Sequence, residues 1–193
     1  LREHGTRLHF QTMPDLVTTS PMTVTRLRQE AERETLFAIL DACDEPLVPE
    51  RVRAMDDRAV SLYRSPAAED LSAIAPYLVR VDADTLDWIG ATLWNRPWGV
   101  FVLSAGDLET LRTHFRKYLL VDGPDGDKWY FRFYDPRVMA SFLPAADATQ
   151  LTDFFGPVTA FAWTDADDYG VTLAVRAMLD PAPASRPRIT LRR

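Results

Sequence analysis

Apolar positions along this chain fall into short runs of two kinds, and the two kinds alternate over the first two thirds of the sequence. One kind is a brief block with no polar face. Thr35-Leu36-Phe37-Ala38-Ile39-Leu40-Asp41 is such a block, and periodicity alone does not divide it between strand and buried helix. The loop-like Asp41-Ala42-Cys43-Asp44-Glu45-Pro46 after it favours a strand. Trp98 to Leu103 is apolar on both faces, the pattern of a central strand covered on two sides. Val60 to Tyr63, Tyr77 to Val81 and Val158 to Trp163 read as further strands, and Val171 to Met178 as one more strand or helix.

The other kind repeats at helical spacing. Arg26 to Thr35 and Val48 to Met55 suit short helices, and Ser65-Pro66 predicts a helix from Pro66 to Ile74. Asp84-Thr85-Leu86-Asp87 opens a helix that puts Leu86, Ile89 and Leu93 on one face. Ser104 to Asp107 resembles a capping box ahead of a helix to about Tyr118, with Leu108, Leu111, Phe115 and Tyr118 in register. Arg112, Arg116 and Lys117 fall in its second half, where cations suit the helix dipole. Asp147-Ala148-Thr149-Gln150 is a capping box, and Gly156-Pro157 ends the helix it starts.

Between these lies the densest stretch, Trp129 to Val138. Leu119 to Val121 and Lys128 to Tyr134 are joined by Asp122-Gly123-Pro124-Asp125-Gly126-Asp127, which predicts a hairpin. Strand alternation would send Trp129, Phe131 and Phe133 to one side and Tyr130, Arg132 and Tyr134 to the other. Asp135-Pro136 then starts a helix, with the carboxylate as cap and proline at the first position, and Pro144 marks its stop. Arg132, Asp135 and Arg137 meet at this joint, either as a structural hub with an internal ion-pair network or as a binding site.

The elements together predict an α/β (mixed α+β) fold: a mixed sheet flanked by helices, as one domain over residues 25–164 or as two lobes, 25–95 and 96–164. Residues 1–24 read as a flexible leader outside the fold, and 165–193 as a C-terminal extension with a basic tail. The chain has 193 residues and a net charge of −6, which argues against nucleic-acid binding. It has one cysteine, Cys43, and so no internal disulfide, which fits a reducing compartment better than secretion. No run is apolar and long enough to span a membrane.

Candidate chemistry is sparse. His4, His9, His114 and Cys43 include no pair at metal-ligand spacing, and Asp165, Asp167 and Asp168 lack the glycine and glutamate of a calcium loop. Scattered glycines form no phosphate loop, so no cofactor is expected. Ser104, His114 and Asp135 could be assembled into a triad on paper, but no Gly-x-Ser-x-Gly elbow accompanies them. A lone histidine between Leu111 and Phe115 is expected to sit at the core edge on one hydrogen bond. Trp88 and Trp94 flank a helix that leaves one of them as a candidate exposed tryptophan.

Five stretches in order carry a resemblance: Ala75-Pro76-Tyr77-Leu78-Val79, Trp98-Gly99-Val100-Phe101, Leu111 to Leu119, Phe131 to Val138, and Phe154-Phe155-Gly156-Pro157. Together, over about Leu36 to Trp163, they resemble the bacterial type VI secretion effector chaperone (adaptor) family. The sequence departs from that pattern at Ala42-Cys43, where Asp-Gly-Ala is usual after the first strand, and at Phe115, where leucine is frequent. The resemblance implies a non-enzymatic cytoplasmic protein. Its partners would be a cognate toxic effector and the valine-glycine repeat spike protein onto which the effector is loaded. On this view Arg116, Arg132, Tyr134, Asp135 and Arg137 shape or line a partner-binding groove, with no catalytic residue and no metal. Two readings compete: a hydrolase using His114 and Asp135, and an immunity-type inhibitor of a toxin.

Overall fold

In the computed structural model, residues 17–43, 45–64, 71–123, 125–164 and 171–176 are described. In chain order the elements are β1 (Val17–Met22), α1 (Val24–Glu32), β2 (Leu36–Asp41), α2 (Leu47–Arg53), a 3-10 turn (Asp56–Arg58), β3 (Ala59–Ser61), β4 (Pro76–Arg80), α3 (Ala83–Thr92), β5 (Gly99–Leu103), α4 (Leu108–Phe115), β6 (Leu120–Asp122), β7 (Lys128–Tyr130), α5 (Pro136–Ala145), α6 (Ala148–Phe155), β8 (Ala160–Thr164) and β9 (Val171–Arg176).

Seven strands form one sheet in the order β1-β9-β8-β5-β2-β4-β3, and β6 pairs with β7 as a separate hairpin. β2, β5 and β8 are buried at every position, as their unbroken apolar runs require. Their side chains alternate between two cores. Phe37, Ile39, Val100, Val102 and Phe161 pack with Leu111 and Phe115 of α4, Met139 and Phe142 of α5, and Leu151 and Phe154 of α6. Leu36, Ala38, Leu40, Phe101 and Leu103 pack on the other side with Leu27 of α1, Val48 and Val52 of α2, and Leu86 and Ile89 of α3. The result is a three-layer α+β domain. The stretches 25–95 and 96–164, taken above as lobes, supply the helices of the two faces of one sheet.

The predicted mixed sheet is instead antiparallel at every described pairing. β4 and β5 run the same way and are linked through α3, but β2 lies between them and is antiparallel to both. A helix between two strands in sequence therefore does not give a neighbouring parallel pair here. Two further boundaries move. Val17–Met22, assigned to the leader, pairs along its full length with β9, and β9, assigned to the extension, pairs with β8. Both belong to the sheet. Short polar stretches such as Val17-Thr18-Thr19-Ser20 carry no core-facing run to betray an edge strand.

Several helix starts follow their caps. The Asp147–Gln150 capping box is present in both directions, and Asp135 caps α5 with Pro136 in its first turn. The start of α3 is set by Asp82, not Asp84: its carboxylate accepts from Thr85 N at 2.8 Å. For α4 the cap is Asp107, accepting from Thr110 N at 2.7 Å, and not Ser104. Ser104 is buried, accepts from Gly106 N at 3.0 Å and donates to Pro157 O at 2.8 Å, tying the end of β5 to the approach to β8. Pro144 lies inside α5, which runs one residue beyond it. Of the predicted helix Pro66 to Ile74, residues 66–70 lie outside the described residues and 71–74 form a turn. The acidic run Asp165, Asp167 and Asp168, the basic tail, His4 and His9 also lie outside them.

Gly99 fixes the close crossing of β5 and β2. Its φ is +148°, and a Cβ placed there would lie 2.0 Å from Ile39 O.

Candidate functional site

The predicted strand Lys128 to Tyr134 stops at Tyr130. Past it the side chains do not alternate: Phe131, Phe133 and Tyr134 are all buried, while Trp129 and Tyr130 are both exposed. The cause is the core on the face covered by α4, α5 and α6. Phe131 and Phe133 join an aromatic cluster centred on Phe154, with ring centroids 6.3 and 5.7 Å from it, and that packing draws the chain inward and out of the ladder.

The described hydrogen bonds of the three charged residues at this joint divide between two carboxylates, although the charge of Arg132 also reaches Asp135. Arg132 turns away to Asp41, the last residue of β2, whose carboxylate is 1% exposed. Asp41 also accepts from Cys43 N at 3.0 Å. Arg137 folds back on Asp135, with Nε 2.9 Å from Oδ1 and Nη2 2.7 Å from Oδ2, while Oδ1 accepts from Arg137 N as the helix cap. Burial pushes the Asp135 carboxyl up, but the hydrogen bonds from Arg137 and the charges of Arg137 and Arg132 outweigh it and hold the group below the ordinary aspartate range.

Two tyrosines and one arginine complete the cluster. Tyr134 is buried, and its hydroxyl lies close enough to that of Tyr63, two residues past β3, for each to influence the other's ionisation. Burial, reinforced by the negative charge of Asp41, raises the Tyr134 hydroxyl far above the ordinary tyrosine range, so it stays protonated. Arg116, just past α4, has Nε 3.0 Å from Leu62 O and Nη2 2.7 Å from Tyr63 O and 3.2 Å from Ser61 O. Its fork fastens the chain leaving β3 to α4. Burial lowers its pKa, and the nearby Arg112 and Arg64 lower it further.

Above this base stands the hairpin. Leu120 and Tyr130 are cross-strand partners, so their side chains share one face, and they are 48% and 65% exposed. The Tyr130 ring lies 6.4 Å from that of Tyr63. Trp129, on the other face with buried Val121, covers Gly123. The exposed tryptophan is thus Trp129, while Trp88 and Trp94 are half-buried.

His114 is buried, with Nε2 2.8 Å from Phe154 O and the rings of Phe115 and Tyr118 at 5.3 and 5.2 Å. Burial depresses its pKa, the hydrogen bond to Phe154 O raises it, and the charge of Lys117 lowers it again; burial prevails. The partners described for His114, Asp135 and Ser104 are separate, and no described contact joins any two of them. Cys43 is exposed. Among the described residues no group of three or more His, Cys, Asp or Glu side chains is placed to hold a metal ion.

The geometry therefore brings together Arg132 and Tyr134 with Asp41 and Tyr63, sets Arg116 beside them, and leaves Asp135 and Arg137 as an adjacent pair. Asp41, Tyr63 and the outward pair Leu120 and Tyr130 were not singled out from sequence. Asp41 carried a signal: it is the one charged residue of a wholly buried strand, and such a group needs a cation.

A family model described as a domain of unknown function (DUF4123) matches residues 36–153, a stretch that holds every residue of this cluster and the hairpin above it. No match is found among curated proteins or solved structures.

Proposed function

The chain belongs to the family described as a domain of unknown function (DUF4123), and from that premise we propose that it is a non-enzymatic adaptor for a type VI secretion effector. It would bind the effector in the cytoplasm and promote its loading onto the valine-glycine repeat spike protein. The observation that carries this reading is the family match, because four of the five stretches that resemble the effector-adaptor family fall inside it and the fifth, Phe154-Phe155-Gly156-Pro157, follows at once. The site is in keeping with a binding role. Its charged groups are engaged in holding the scaffold, while large apolar side chains stand exposed on a pinned hairpin. Covering an aggregation-prone apolar segment of a client until delivery is the physical task such a surface suits. Among the described residues no helix is long and apolar enough to cross a membrane.

The test is a clean deletion strain combined with affinity purification of the tagged chain. The expected result is co-purification of an effector encoded nearby and loss of that effector from the secreted fraction. Normal secretion in the deletion strain would sink the reading. Toxin activity measured in the purified complex separates this role from inhibition: an adaptor need not abolish catalysis, whereas an immunity protein must.

A further inference from the structure

We infer that the client docks on the outer face of the β6–β7 hairpin, and that the surface takes an apolar segment bearing carboxylates on the flank that meets the hairpin's base. This inference rests on the adaptor reading and adds to it the place and chemistry of the contact.

Three observations carry it. The first is the concentration of exposed apolar side chains. The large exposed hydrophobics among the described residues are Val24, Leu47, Leu71, Ile74, Leu120, Trp129 and Tyr130, and the last three belong to one hairpin with three residues in each strand. Scattered single residues need no explanation, but a cross-strand pair such as Leu120 and Tyr130 continued by the Tyr63 ring forms a patch. Tyrosine is also among the side chains that most often anchor interfaces.

The second is rigidity. A free two-stranded hairpin is marginally stable. This one is held from below by buried Val121, by Phe131 N on Leu119 O at 3.0 Å, by Gly123 N on Asp127 O at 2.8 Å, and by the Phe131 and Phe133 rings in the core. Its outer face is presented in a fixed shape, which lowers the ordering cost of binding.

The third is charge. Lys117 lies three residues before Leu120, Arg132 two residues after Tyr130, and Arg64 follows Tyr63 directly. Lys117 and Arg64 are exposed, and the Arg132 side chain is 37% exposed while paired to Asp41. Arg132 is balanced by Asp41, so Arg64 and Lys117, with Arg116 close to Arg64, give the base its positive charge in a chain of net charge −6. At the far end, Asp122, Asp125 and Asp127 outnumber Lys128, which is paired to Asp122. A segment whose carboxylates meet the base is attracted there, and one with lysines in those places is repelled.

The experiment uses the full chain and two short fluorescent peptides. Both carry the same run of leucine and valine; one is flanked on one side by glutamates and the other by lysines. Binding is read by fluorescence anisotropy. The glutamate peptide should bind at least about tenfold more tightly than the lysine peptide, with the difference shrinking as salt rises. Tyr130→Asp should weaken it by about tenfold or more, Tyr130→Phe should retain it, and Leu47→Asp, on an exposed residue of α2 outside the hairpin, should leave it unchanged. Tyr130 is exposed, so the melting temperature of Tyr130→Asp should match that of the unaltered chain. Equal affinity for both peptides, no binding, or indifference to Tyr130→Asp would overturn the inference. So would a dimer in sedimentation that Tyr130→Asp dissolves, since the face would then belong to a second copy. The deletion strain tests the adaptor role independently: lost secretion with failed peptide binding would leave that role standing and remove only this surface.

Discussion

Asp41 and Arg132 offer the sharpest test of how this fold is held together, because their surroundings are unequal. The Asp41 side chain is 1% exposed and that of Arg132 is 37% exposed. Replacing Arg132 by methionine, of similar length, leaves a buried carboxylate with the Cys43 N–H as its described remaining donor. Loss of one partner from a buried pair costs about 3–5 kcal/mol, and this variant should fall in that range. Replacing Asp41 by asparagine keeps the shape and an acceptor for Cys43 N, and leaves a guanidinium that can turn to water. The same rule discounted for that access gives about 1–2 kcal/mol. The double variant removes both charges and should cost at least about 1 kcal/mol less than the sum of the single changes. Urea denaturation at neutral pH measures all three, provided the slope is unchanged so that midpoint shifts report stability. If Asp41→Asn proved as costly as Arg132→Met, or if the two were additive, the pair would not be coupled and the argument from unequal burial would be refuted.

Gly99→Ala places a Cβ 2.0 Å from Ile39 O in a positive-φ conformation, and should cost at least about 3 kcal/mol or prevent soluble expression, as read by urea midpoint and yield. Asp135→Ala removes a helix cap while Arg137, whose side chain is 67% exposed, can hydrate, so the loss should stay near the capping value of about 0.5–2 kcal/mol in the same assay. His114 has a folded-state pKa below its unfolded value of about 6.5, so its contribution is fully present above that pH and is lost as pH falls from there toward the folded-state value. Melting temperature should drop on mild acidification, and His114→Gln should flatten that slope; an unchanged slope would show that His114 does not set it.

What could be read from the chain, and what could not, divides along a physical line. Local signals survived. Asp135-Pro136 and Asp147 to Gln150 mark helix starts because a cap needs only neighbours within a turn. Trp98 to Leu103 marked a doubly covered strand because burial on both faces leaves no polar alternation. Signals that depend on distant partners did not survive. Nothing near Arg132 in sequence reveals that its carboxylate lies 91 residues upstream, and an aspartate three residues ahead looks the better partner. The order of strands was equally hidden: alternating strands and helices predicted only a mixed sheet, and it is the place of β2 between β4 and β5, antiparallel to both, that makes the pairings antiparallel. The strand from Lys128 was read four residues too long because Phe131 and Phe133 answer to the Phe154 cluster and not to strand pleating.

The cluster at this joint separates residues that hold a surface from residues that form it. Arg116 on the carbonyls of Ser61, Leu62 and Tyr63 ties the end of α4 to the chain leaving β3, and Arg132 on Asp41 ties the chain leaving β7 to β2. These groups are spent on one another, so their loss should lower stability and binding together. Leu120 and Tyr130 stand exposed, joined by a cross-strand pairing and by the contact of the Tyr130 ring with Tyr63, so their loss should lower binding with stability unchanged. Measured on the same peptide, Arg132→Met and Tyr130→Asp should therefore part company: both weaken binding, but only the first shifts the urea midpoint. Were Tyr130→Asp the one to destabilise the chain, the hairpin would be part of what holds the core, and the division of roles argued here would be reversed.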